Sequence, residues 1–591
     1  MLLEGFGFSC GDNLSIGESV KIRVLSALLL TGIFLSHPTR GDDDLGPAVY
    51  LAGLHEVSGK TLLHWKYNIA KPEVAEVRVV DSTGQEVCRV SRSIRQADVT
   101  GRTGPFRLVP VMTGREAGEG ITVSVEEPWK PADSFSRIGI GQRGGCAEFV
   151  ELATGKVFHP VGMNYVPLRF GDHAAFEAAT TVGEGFYDAL ETESVMRLLR
   201  KNGYNTVRVF LAGRRPKNPG LSGEADTEGL YTPYLDNLAD FLARASSNGI
   251  HVIFNFCDVD LPQNRYFREK LGGKDGTENL FLSSGVLAFR EMVASTLDYL
   301  KAKNPDLLKA ILGVQFNNEI CAKLTRWPFS ESGPVSTANG KTYDMSVPED
   351  RSRCFEEGLG YFYKQVCAAV KEVDSGLLTC EGTFVAAAVG RDHRTGAAAF
   401  DPANLAKGFG WEKDCGLRVP PALPVFAESP LDFVDVHLYP AGKLDGFEQS
   451  VENLLESSRF RDAVAAGLCS KKPVILGEFG AFKAHVKRDT GDGTAGAMQR
   501  WSEIRRLACG KYGFTGYLGW SLETFEQTGI FQALAFAPGF LRSFREEFNW
   551  PETGADDPPN SDAAAGLPLL LKDEPPNGQA NGYFVPQTLS P

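Results

Sequence analysis

Two glutamates stand at the ends of short apolar runs. Glu319 closes Gly313-Val314-Gln315-Phe316-Asn317-Asn318-Glu319, and Glu478 lies in Pro473-Val474-Ile475-Leu476-Gly477-Glu478-Phe479-Gly480. Breaking an acetal takes a proton for the leaving oxygen and stabilisation of a cationic anomeric carbon, and two carboxyl groups about 5 to 5.5 Å apart supply both. Other polar residues recur at comparable places: Arg208 inside Tyr204–Phe210, Asn318 beside Glu319, His437 and Tyr439 after Phe433–Val436, and Trp520 at the end of Phe514–Trp520. Any one of them could be packing, and Arg208 with Glu478 could be a structural ion pair. Their placement at the ends of separate strands favours a site. Arg208 near Glu478 would keep that carboxylate ionised, while removal from water and a negative neighbour favour a retained proton on Glu319. The indole of Trp520 offers a flat apolar face suited to a pyranose, and its N–H needs a partner when buried.

Such residues need elements that bring them together. From about Gly141 the chain alternates apolar β-type runs with helical periods. The strand candidates are 158–164, 204–210, 250–256, 310–316, 376–381, 433–437, 473–478 and 514–520, and helices are expected at 191–201, 234–247, 286–303, 354–373, 447–466, 495–509 and 534–548. Continuous apolar runs suit parallel strands buried on both faces. The pattern predicts an α/β fold, a (β/α)8 TIM barrel over 141–550, with polar residues that follow a strand facing its catalytic end. No Gly-x-Gly-x-x-Gly follows the first strand, which disfavours a dinucleotide-binding sheet. Strands four and seven lie across such a barrel, so Glu319 and Glu478 can face one bond. Before the barrel, Thr61–Tyr67, Val74–Val80, Phe106–Met112 and Ile121–Val125 read as strands around an Asp81-Ser82-Thr83-Gly84 turn, a small β-sandwich over 46–138. A spacer role is expected for it; sugar binding through Trp65 or Trp129, or packing on the larger domain, are the alternatives. The segments 321–349, with Trp327 and Tyr343, and 382–430, with Trp411, are long enough to be lids or binding loops. The first follows the Glu319 strand and is expected to shape the leaving-group side of a cleft.

At 591 residues the chain exceeds one compact core, and its 43% hydrophobic content belongs to a folded protein. A net charge of -13 disfavours nucleic acid or an anionic membrane as partner. Lys21 and Arg23 precede an apolar run, Val24–Leu35, too short to span a bilayer. That run, followed by Ser36-His37-Pro38, reads as an export signal over about 20–41 within a 1–41 leader, with cleavage before Asp42 and Val20 as a candidate initiator. The expectation is a secreted or periplasmic protein without a membrane span. Eleven cysteines include no Cys-x-x-Cys pair, so a zinc site is not indicated, and most are expected to be buried apolar residues. The Pro- and Asp-rich tail 551–591 is expected to be disordered.

On the two glutamate motifs, Arg208, His437-x-Tyr439 and Trp520, the chain resembles glycoside hydrolase family 5 of the clan A barrels, over about Gly155 to Trp550. The resemblance implies Glu319 as acid/base, Asn318 as holder of the sugar 2-hydroxyl and Glu478 as nucleophile. It implies Arg208 as support for the nucleophile, His437 and Tyr439 as the family's His-x-Tyr after strand six, with Tyr439 bonded to Glu478, and Trp520 as an aromatic floor. It further implies double displacement with retention, no metal or organic cofactor, and a carbohydrate substrate, a β-1,4-mannan narrowly ahead of a β-1,4-glucan. A glycolipid or small β-glycoside, or a non-catalytic carbohydrate-binding barrel, are the alternatives. Two departures leave the sugar-binding details open. Ile320 stands where the family usually carries Pro, and the third strand ends Asn255-Phe256-Cys257-Asp258 without the His often found there. Asp258 either contacts substrate or caps the next turn.

Overall fold

The computed structural model describes residues 48–67, 74–112, 115–116, 120–124, 135–167, 181–211, 220–222, 229–256, 278–383, 396–401, 418–422, 424–438, 442–444, 447–449, 464, 467–480 and 504–522. The leader, the tail, Trp129, Asp258, Trp411, Tyr439 and the helix expected at 534–548 lie outside them. The chain divides after Leu45, and every described residue falls in the second unit, Gly46–Pro591.

The N-terminal module is a β-sandwich. One sheet joins β1 (Val49–Val57), β2 (Lys60–Tyr67) and β5 (Gln96–Asp98); the other joins β3 (Val74–Val80), β4 (Glu86–Ser91), β6 (Phe106–Met112), β7 (Arg115–Glu116) and β8 (Ile121–Val123). Leu63, Trp65, Tyr67, Val77, Val79, Phe106 and Leu108 from both sheets fill the space between them. Trp65 is fully buried there, which removes it as a sugar platform. The module is also more than a spacer. Lys66 of β2 reaches Glu191 on the barrel's first helix at 2.8 Å, with both side chains at most 1% exposed. Tyr165 and Arg95 donate to the same carboxylate at 3.1 and 3.2 Å. A buried charge left unpaired costs about 3–5 kcal/mol, so this network locks the module to the barrel.

Eight parallel strands close the barrel in the order β11 (Val161–Tyr165), β12 (Thr206–Phe210), β13 (His251–Asn255), β14 (Ile311–Gln315), β18 (Thr379–Thr383), β20 (Phe433–Leu438), β23 (Val474–Phe479) and β24 (Gly516–Leu522). Helices α1 (Ala189–Lys201), α2 (Thr232–Ser247), α3 (Ser283–Lys303) and α4 (Pro348–Val373) follow the first four strands. Outward residues such as Val207, Val209, Phe254, Val314, Val434 and Leu476 pack on the helices, while Ile253, Leu312, Phe433, Ile475 and Leu518 fill the lower barrel. Both faces are buried, as the unbroken apolar runs required. A hairpin of β9 (Ile138–Arg143) and β10 (Cys146–Glu151) adds Ile138 and Phe149 to that lower layer.

The expected helix from Phe447 begins differently. Phe447–Gln449 forms β22, paired with β21 (Gly442–Leu444). The intervening Asp445-Gly446 is a hairpin-turn dipeptide, a local signal stronger than the helical period. The segment 321–349 has regular structure of its own. In it, β15 (Ala322–Lys323) pairs with β19 (Arg418–Val419), and β16 (Pro334–Ser336) pairs with β17 (Thr342–Asp344). Tyr343 is 2% exposed and donates to Glu357 of α4 at 2.6 Å, so it anchors the hairpin rather than facing a ligand. Of the described cysteines, Cys321, Cys354, Cys367, Cys380 and Cys509 are buried thiols, as expected of lone Cys residues.

Candidate functional site

The upper third of the barrel is polar where the lower part is apolar. Arg208, at 0% exposure, is its hub. Its Nε donates to Gln315 Oε1 at 2.7 Å, Nη1 to Asn164 Oδ1 at 2.8 Å and Glu478 Oε1 at 2.5 Å, and Nη2 to Asn318 Oδ1 at 2.7 Å. A guanidinium offers five donors in a fixed plane, so these acceptors from three strands, β11, β14 and β23, are held in one register around it. Asn164 is itself fixed by donating to the Gly477 carbonyl at 2.8 Å, and Asn255 donates to Gln315 at 2.6 Å. With its oxygen bound by Arg208, Asn318 keeps an Nδ2 group that meets no partner among the described residues.

Glu478 comes to face this hub through a β-bulge. Pairing of β20 with β23 runs Val436 to Leu476 and then His437 to Glu478, leaving Gly477 as an extra residue. An extra residue of this kind re-aims the side chains after it. A Cβ on Gly477 would fall 1.7 Å from Asp435 Oδ1, so only glycine fits.

Across the mouth, Glu319 sits just beyond β14. The turn that carries it is clamped by Gly382 of β18, whose N–H donates to Asn317 O at 3.3 Å and whose carbonyl accepts from Ile320 N at 3.1 Å. The glutamates meet at His437, fully buried on β20. Its Nδ1 lies 3.2 Å from Glu319 Oε1 and 3.5 Å from Glu478 Oε2, and one oxygen of each glutamate and this nitrogen all fall within 4.8 Å of one another. The Glu319 side chain is 24% exposed and that of Glu478 4%, so Glu478 is the more enclosed of the two, against the buried hub. Burial alone would lower the His437 pKa, but Glu478, Asp435 and Glu319 raise it to about 10. Burial likewise opposes ionisation of Asp435, yet His437 and Arg208 hold it below the usual carboxylate range. A cation shared by Glu319, His437 and Glu478 would have to displace the imidazole proton and sit in the field of Arg208, so the donor set does not suit a metal.

Trp520 of β24 is 5% exposed and meets Phe210 edge to face, centroids 5.7 Å apart. Phe210 in turn lies under the Arg208 guanidinium, 4.6 Å from Cζ to ring centroid. Arg208, Asn318, Glu319, His437 and Glu478 are therefore linked by a continuous chain of contacts, and Trp520 joins them through Phe210. Sequence reasoning passed over Asn164, Phe210, Gln315 and Asp435, and saw Asn255 only as a strand end. For the four polar ones the signal was a polar residue at an inward position of an otherwise apolar strand; Phe210 carried none.

No family model and no curated protein matches the chain. Among solved structures, it is similar to the endo-1,4-beta-mannanase from Rhizomucor miehei at 14% identity, covering 70% of this chain and 100% of that one, with a TM-score of 0.43. It is similar to the endo-beta-1,4-mannanase from Thermotoga petrophila at 14% identity, covering 66% and 77%, TM-score 0.39. It is similar also to the beta-mannanase from the blue mussel Mytilus edulis at 18% identity, covering 69% and 97%, TM-score 0.40. No residue role passes from these distant likenesses to this chain.

Proposed function

We propose that the chain is a retaining glycoside hydrolase acting on a β-linked carbohydrate, with Glu319 as acid/base and Glu478 as nucleophile. One observation supports this most: the two carboxylates face each other from opposite strands with oxygens within 4.8 Å, and Arg208 pairs with Glu478. Close carboxylates leave no room for a water between one of them and the anomeric carbon, which favours direct attack over inversion. The arginine keeps Glu478 ionised for attack, and the half-open position of Glu319 suits a group that must exchange protons with leaving group and water.

In the first displacement Glu319 gives its proton to the glycosidic oxygen while Glu478 bonds to the anomeric carbon. In the second, Glu319 takes a proton from water, which releases the sugar with net retention. Asn318 Nδ2 is the donor for a hydroxyl beside the anomeric centre, and the Trp520 ring is the floor for the sugar's apolar face. The sequence resemblance favours a β-1,4-mannan or β-1,4-glucan, mannan first, while Lys21, Arg23 and the apolar run Val24–Leu35 favour residues 20–41 as an export leader.

Sugar release from a panel of β-mannans, β-glucans and aryl β-glycosides tests the reading, with Glu478→Gln expected to abolish it. Azide separates the roles: Glu319→Ala should yield a β-glycosyl azide from an aryl β-glycoside, and Glu478→Ala an α-glycosyl azide. The reverse stereochemistry would exchange the two assignments. Wild-type protein that binds these polymers yet releases nothing from any panel member would replace hydrolysis by binding alone.

A further inference from the structure

Asp435 lies two residues before His437 on β20, so both side chains project into the barrel. It is fully buried beneath the two glutamates. Its Oδ2 accepts from Gln315 Nε2 at 2.7 Å and lies 3.4 Å from Arg208 Nε and 3.5 Å from His437 Nε2. The last distance is at the long limit for a hydrogen bond, so the attraction is chiefly one of charge. His437 thus has a carboxylate at each ring nitrogen: Asp435 at Nε2, and Glu319 and Glu478 at Nδ1. From β12, Arg208 is the other positive group; from β18, Cys380 and Glu381 lie close enough to act on Asp435, and burial holds both in their neutral forms.

A neutral imidazole has one N–H and one bare lone pair, and here the lone pair would point at an acceptor whichever nitrogen carried it. The doubly protonated ring satisfies both sides. It also balances the interior, where Arg208 and His437 offset Asp435 and Glu478.

We propose that Asp435 is a positioning residue of the reaction: from the Nε2 side it keeps His437 an imidazolium whose Nδ1–H is aimed between Glu319 and Glu478. The inference rests on the hydrolase reading for its consequence, though not for its structural half. Without Asp435 the ring can turn or shed its Nε2 proton, and the neutral ring that results offers the two glutamates a weaker Nδ1–H without the positive charge.

The test uses the full chain with ¹⁵N-labelled histidine, the His437 ring being assigned by its loss in His437→Gln. Both ring nitrogens should appear as N–H and stay so from about pH 5 to 8 in the wild type. In Asp435→Asn the ring should titrate inside that window. The kcat on an aryl β-glycoside should then acquire a further fall of about tenfold with the same midpoint, and KM should change little. A bare Nδ1 at pH 7 in the wild-type protein overturns the proposal, whether or not the variant folds. So does a folded Asp435→Asn whose ring and kcat profile match the wild type. Failure of the hydrolase reading would show instead as absence of sugar release by the wild type, which leaves the ring spectra unaffected.

Discussion

Replacing Gly477 with alanine probes how the barrel delivers Glu478. The new Cβ would stand 1.7 Å from Asp435 Oδ1, 2.1 Å from its Cγ and 2.3 Å from Oδ2. Relief requires Asp435 or strand β23 to retreat by roughly 1 to 1.5 Å, and a packed core resists that at about 1–3 kcal/mol. Retreat of the carboxylate also loosens its 2.7 Å bond from Gln315 and its contacts with Arg208 and His437. A hydrogen bond to a charged group contributes about 1.5–3 kcal/mol, so destabilisation of about 3–6 kcal/mol is expected. Thermal unfolding followed by circular dichroism should fall by roughly 5 °C or more. Retreat of β23 instead moves Glu478, and about 1 Å of misplacement at a reacting group costs on the order of 10²-fold in rate. Hydrolysis of an aryl β-glycoside should therefore drop about a hundredfold in kcat. Adding Asp435→Ala to Gly477→Ala removes the collision, so the double variant should be less destabilised than the two single changes together. A Gly477→Ala protein with wild-type melting and kcat would refute the reasoning, as would strict additivity in the double variant.

Stability should weaken on acidification below neutrality. His251, stacked on Phe135, and His55 at the module's contact with α1 are both held by burial as neutral rings, their pKa lowered to about 3. Their contribution is complete above the unfolded value of about 6.5 and is lost as pH falls toward 3, at up to ~1.4 kcal/mol per pH unit each, so His251→Phe should flatten the decline of melting temperature between pH 6.5 and 4.5. His437 has the opposite sign, contributing fully below about pH 6.5 and losing that contribution as pH rises through about 10. Mature protein from its native source should begin near Asp42, and an intact leader on cytoplasmic protein would refute the export reading.

The barrel was legible because its strands are buried on both sides. Continuous runs such as Ile250–Phe256 and Phe433–His437 stand out against helical periods, and all eight strand candidates overlap the observed strands. What failed was a matter of local competition or of contacts distant in sequence. Phe447 carries a helical pattern, yet Asp445-Gly446 just before it favours a hairpin. The role of the sandwich could not be read from its own strands, since Lys66 and Glu191 are 125 residues apart and nothing in either segment announces the pair.

The site divides along the same line. On β20, simple alternation from Phe433 places Asp435 and His437 on the inner face, so Asp435 was open to discovery as a charged residue at an inward position of an apolar strand. On β23, alternation from Ile475 would send Gly477 inward and Glu478 outward among the helices. The bulge reverses that outcome, and it exists only in the pairing of β23 with its neighbours: His437 of β20 aligns with Glu478, and the register with β24 shifts between Leu476 and Phe479. Its other half is the space that Asp435 occupies, which no side chain at position 477 could share. The carboxylate that pairs with Arg208 is thus aimed by a glycine on its own strand and an aspartate on the next. A motif can name such a residue, but a strand read by itself cannot place it.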